Sequence, residues 1–158
     1  MIKITKKRER ILVVDDDEPS RQILAETLTQ AGYTVEEAAD GYEALWIAAR
    51  RSPDLVVSDL SMPGIDGIEF VRRLHAFTPV PVVLTTGLQE TRDVVTAADG
   101  YGAVACLKKP MSVDELLWTI DRALVCAGTA ARPWLPTRRP CWQPRARAVS
   151  HFHGVDCA

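Results

Sequence analysis

The sequence predicts a doubly wound α/β fold, a five-stranded parallel sheet with helices on both faces. Apolar runs of strand length recur five times along the chain. Each is followed by a helix-length segment, most of them with apolar residues at 3.6-type spacing. The runs hardly alternate between apolar and polar residues, which suits strands covered on both sides rather than on one. Right-handed crossovers between parallel strands then wind helices onto both faces.

The elements follow in order. Ile11 to Val14 is an apolar run cut off by Asp15-Asp16-Asp17. Pro19 and Ser20 open a helix with Ile23, Leu24, Leu28 and Ala31 on one face, and Gly32 ends it. Tyr33 to Glu37 reads as a second strand. Asp40-Gly41 reads as a turn before a helix over Tyr42 to Arg51. Leu55 to Val57 is a buried strand ending at Ser58-Asp59, and a Pro- and Gly-containing loop over Met62 to Gly67 leads to a helix over Ile68 to Ala76. Val82 to Leu84 forms the fourth strand, closing on Thr85-Thr86-Gly87, and a weak helix is expected over Thr91 to Ala98. Ala103 to Leu107 is the fifth strand. It ends at Lys108-Lys109-Pro110, and Ser112 caps a last helix to about Ala127.

A chain of 158 residues with 47% hydrophobic content can bury one core without staples. It contains no apolar run of about 18 residues, so no membrane span is expected. The four-residue apolar stretch after the basic start is too short for a secretory signal, and a cytoplasmic location follows. Cys106, Cys126, Cys141 and Cys157 form no CxxC pair and read as reduced thiols, too widely spaced for a zinc site. Residues 1–127 carry 14 Lys and Arg against 20 Asp and Glu, whereas residues 128–158 carry five Arg against one Asp. The expected organisation is a basic arm over 1–7, an acidic domain over 8–127 and a disordered tail over 128–158 rich in Pro and Arg. Arginines interleaved with Trp134 and Trp142 suit weak contact with nucleic acid, but a solvated extension without a role is the favoured reading of the tail.

Chemistry in open α/β sheets gathers at the carboxyl ends of the strands. Those ends carry Asp15-Asp16, Asp59, Thr86 and Lys109. Each is ordinary alone, as a cap, a turn former, a strand residue or a surface lysine. Together they place three carboxylates in one crevice, where a pair at about 4 Å repels by roughly 4 kcal/mol at an effective dielectric of 20. A hard divalent ion with oxygen ligands, Mg²⁺ or Mn²⁺, and the Lys109 ammonium would offset that repulsion. Asp59, flanked by the acid pair and the lysine, is the candidate nucleophile. Gly67 suits a turn that a Cβ would obstruct, and Lys109-Pro110 is a bond at which the cis form is accessible.

Val13-Val14-Asp15-Asp16, the stretch Asp59-Leu60-Ser61-Met62-Pro63-Gly64-Ile65-Asp66-Gly67, Pro81 to Gly87, and Lys109-Pro110 resemble the signatures of two-component response-regulator receiver domains, of the chemotaxis-regulator kind. The resemblance runs from about Arg8 to Ala127. It implies a flavodoxin-like strand order 2-1-3-4-5 and phosphorylation of Asp59 by a phosphohistidine on a sensor histidine kinase or a histidine phosphotransfer protein. It implies that Asp16, Asp59 and the Ser61 carbonyl ligate Mg²⁺ directly and Asp15 through water. Thr86 would then hydrogen-bond one phosphoryl oxygen and Lys109 would pair with another. A homodimer through the fourth helix, fifth strand and fifth helix would also fit the family. Signalling rather than enzymatic turnover is the expected role, and no output domain is recognisable after the domain.

Two positions depart from the pattern. Receivers usually carry an aromatic residue or His three positions before the lysine, where this chain has Cys106, and Gly87 stands where Ala is usual. Rival readings lack their residues. Asp-Asp-Asp-Glu-Pro follows the first strand where a dinucleotide site needs glycines, no GxxxxGK[ST] occurs, and Ser61 replaces the second Asp of a haloacid-dehalogenase-type phosphatase.

Overall fold

The computed structural model describes residues 9–87, 102, 103 and 105–129. Five strands, β1 (Arg10–Val14), β2 (Thr34–Ala38), β3 (Leu55–Asp59), β4 (Val82–Thr86) and β5 (Ala105–Lys108), form one parallel sheet in the order β2-β1-β3-β4-β5. Among the described residues the helices are α1 (Glu18–Gln30), α2 (Gly41–Arg51), α3 (Gly67–His75) and α4 (Val113–Thr129). The doubly wound fold is therefore as the sequence predicts, and the strand order is the one the resemblance implies. The helix expected over 91–98, the arm over 1–7 and the tail beyond residue 129 lie outside the described residues.

Successive strand residues feed opposite layers. Leu12, Val14, Val56, Val82 and Leu84 pack with Ala44, Ala48, Phe70 and Leu74 of α2 and α3. Ile11, Val13, Leu55, Val57 and Val83 pack with Leu28, Leu116 and Ile120 of α1 and α4. Both faces of β1, β3 and β4 are dry, so both sets of side chains must be apolar. Phe70 is the largest fully buried side chain, and truncating it to Ala would cost about 3–5 kcal/mol.

The helix boundaries differ from the sequence reading by a residue or two because aspartates cap them. Asp17, Asp40 and Asp66 accept from the backbone N–H of Ser20, Glu43 and Glu69 at 3.0, 2.8 and 2.8 Å. Asp40-Gly41 is thus a cap and first helical residue, not a separate turn. Gly32 follows α1 with φ of 99°, a conformation that favours glycine. Ser112 accepts from Glu115 N–H at 3.1 Å as a cap should, but α4 continues through Gly128 instead of stopping at Ala127, so the first two residues assigned to the tail are helical. Cys106 is a thiol outside any disulfide. Among the described residues, no helix is long and apolar enough to cross a membrane.

Candidate functional site

Sheet register builds the site. Val14 pairs with Ser58, Asp59 with Thr85, and Thr86 with Lys108, so β3 ends one residue beyond β1, β4 one residue beyond β3, and β5 level with β4. That stagger brings Asp15, Asp59 and Lys109 to one point of the carboxyl edge. Carboxylate oxygens of Asp15, Asp16 and Asp59 all lie within 4.8 Å of one another. Asp15 is 1% exposed and Asp59 9%, while Asp16 faces solvent.

Asp15 is held at every polar atom. Its N–H donates to the Ala38 carbonyl at 3.2 Å, and its carbonyl accepts from Arg21 Nη1 at 2.8 Å. Its Oδ1 accepts from the Asp17 N–H at 2.9 Å, and its Oδ2 from Lys109 Nζ at 2.9 Å. Lys109 Nζ also donates to Asp59 Oδ1 at 3.3 Å. Burial by itself lowers the Lys109 pKa, but the Asp15 hydrogen bond and the charges of Asp59 and Asp15 outweigh it, and the ammonium is held above the ordinary lysine value. The lysine therefore stays charged in the crevice.

The third acid of the triplet has a different task. Asp17 caps α1, and the hydrogen bonds from Ser20 hold its carboxyl below the usual range, with Lys109 and Arg21 adding smaller effects.

The loop after β3 is anchored from two sides. Leu60 N–H donates to the Thr85 carbonyl and Gly67 N–H to the Leu60 carbonyl, each at 2.8 Å. A Cβ on Gly67 would stand 2.8 Å from both the Asp59 carbonyl oxygen and Leu60 Cα, so only glycine lets the start of α3 lie this close behind Asp59. Ser61 and Pro63 are exposed in this loop. At the other edge, Lys109 N–H donates to the Thr86 carbonyl at 2.7 Å, and the Lys109-Pro110 bond is cis. Thr86 is buried at the end of β4. Cys106 is partly buried on β5, packed against the α2–α3 layer of the core.

The structure thus brings together Asp15, Asp16, Asp59 and Lys109, with Thr86 tied to the lysine's backbone. Arg21 was not among the residues singled out from the sequence. An arginine six residues after Asp15 on a helix that starts at the acidic loop is the signal that could have found it. Three hard carboxylate donors around one point form a donor set that fits a divalent cation of the Mg²⁺ class.

A family model described as the response regulator receiver domain matches residues 11–121. The chain is 39% identical over 116 residues to the transcriptional regulatory protein PdtaR of Mycobacterium tuberculosis, covering 73% of this chain and 56% of that protein. It is 42% identical over 117 residues to the response regulator MprA of Mycobacterium leprae, covering 73% and 50%. The chain spans about half the length of the curated relatives it matches. Among solved structures it is similar to the chemotaxis protein CheY4 of Vibrio cholerae, with a TM-score of 0.67 and 34% identity over 74% of this chain and 99% of that one. Fold, site and family model agree, and the chain belongs to the response regulator receiver domain family of two-component signalling.

Proposed function

We propose that Asp59 is the phosphoacceptor of this receiver and that Mg²⁺ or Mn²⁺ sits among Asp15, Asp16, Asp59 and the Ser61 carbonyl. The observation that supports this most is the convergence of three carboxylates and one charged lysine on a single crevice. An Asp59 carboxylate oxygen attacks the phosphorus of a phosphohistidine. The O–P bond forms as the N–P bond breaks, and the electron pair leaves with the imidazole nitrogen. When bound, the divalent ion supplies charge neutralisation for the incoming phosphoryl oxygens. Lys109 stands within reach of Asp59 and pairs with one of those oxygens, and the Thr86 hydroxyl donates a hydrogen bond to another.

The donor in this reading is a sensor histidine kinase or a histidine phosphotransfer protein, and the setting is the cytoplasm. The product is a signalling state rather than a released metabolite. Cys106 fills less space than an aromatic ring, so output runs less through rotation of a β5 side chain than is usual in the family. A homodimer through the face made by the helix expected over 91–98, β5 and the last helix, α4, belongs to the same proposal. Phosphotransfer from a radiolabelled histidine kinase tests the reading. Label should pass to this chain with Mg²⁺ present and fail to pass in EDTA, and transfer that ignores EDTA would contradict the metal's part in it.

A further inference from the structure

Arg21 connects three elements through one guanidinium. Its Nη1 donates to the Asp15 carbonyl at 2.8 Å, and its Nε lies 3.4 Å from Glu37 Oε2 at the end of β2, with the arginine side chain only 15% exposed. The Asp15 carbonyl belongs to the peptide that joins Asp15 to Asp16. A peptide is planar, so fixing its oxygen fixes the direction in which the chain enters Asp16. Asp15 is already pinned by Ala38, Asp17 and Lys109. The contact from Arg21 therefore has its main effect on the exposed acid next to it.

We infer that Arg21, anchored by Glu37, is a positioning residue that aims the Asp16 carboxylate into the metal site. This rests on the proposed metal site. Charge and position act in opposite directions here, which makes the idea testable. A cation beside a cation site repels Mg²⁺, so by charge alone its removal should tighten binding. If Arg21 positions Asp16, its removal weakens binding instead.

The measurement is titration of the full chain with Mg²⁺ by calorimetry, for native protein, Arg21→Met and Arg21→Lys. Methionine keeps the packed stem and loses both donors. The Mg²⁺ dissociation constant should rise roughly tenfold, in line with the loss of a group that orients a ligand. Lysine restores a donor for the carbonyl and should recover most of the affinity. Unchanged or tighter binding in Arg21→Met, or no recovery in Arg21→Lys, overturns the inference. If Arg21→Met does not fold, Glu37→Ala is compared with Glu37→Gln, since both remove the charge and only glutamine keeps an acceptor for Arg21. Affinity should fall further in Glu37→Ala than in Glu37→Gln, and equal affinities overturn the inference. A native chain that binds no Mg²⁺ would instead remove the proposed metal site.

Discussion

Lys109 Nζ stands 2.9 Å from Asp15 Oδ2, a carboxylate with 1% of its side chain exposed. The two residues come from the ends of β5 and β1, two strands that are not neighbours in the sheet. With three acids in one crevice, this lysine is the cation that makes the metal-free site tolerable.

Replacing Lys109 with Met should therefore destabilise the metal-free domain. Leaving one partner of a fully buried pair costs about 3–5 kcal/mol. The half-buried lysine puts the loss here nearer 2 kcal/mol, because solvent screens it. Mg²⁺ should restore part of this, raising the melting temperature more in the variant than in the native chain. Equal melting temperatures in EDTA would show that Lys109 does not carry this role.

Asp16→Asn should behave in the opposite way. It removes a charge from the crowded cluster, so metal-free stability holds or rises while Mg²⁺ binding weakens. Thermal melts with and without Mg²⁺ report both effects. A large fall in melting temperature without metal would instead mark Asp16 as a structural residue.

Gly67→Ala should cost about 1–3 kcal/mol, since the added Cβ meets backbone atoms that cannot rotate away. The displaced atoms include the Asp59 carbonyl, so phosphorylation should slow beyond what the stability loss explains. Denaturant melts paired with phosphorylation rates separate the two effects. Native-like values in both would contradict the close approach.

On α3, hydrogen bonds from Arg72 and Arg73 lower the Glu69 pKa from 4.5 to about 2. Because the folded value is depressed, the stabilisation is fully present above the unfolded carboxylate value. It is lost as pH falls from about 4.5 towards 2. Carbon-detected NMR titration should place the Glu69 midpoint well below 4.5, and removing both arginines should return it towards 4.5. A midpoint near 4.5 in the native chain would refute the network.

Much of this was legible in the sequence because burial on both faces forces apolar runs in β1, β3 and β4, and because strand ends collect polar residues. Asp15, Asp59 and Lys109 could be read that way. Asp17 could not be told apart from its neighbours, since a capping acid and a metal-binding acid look alike until the helix start is known. The helix boundaries moved for the same reason at Asp40 and Asp66. Arg21 escaped notice because its target is a backbone carbonyl, which leaves no mark in the side-chain pattern.

The most direct test of the central claim is intact mass after incubation with acetyl phosphate and Mg²⁺. The account predicts one added phosphoryl group on the native chain, none without divalent metal, and none on Asp59→Asn. Equal labelling of Asp59→Asn would contradict it, because the acceptor would then be another residue.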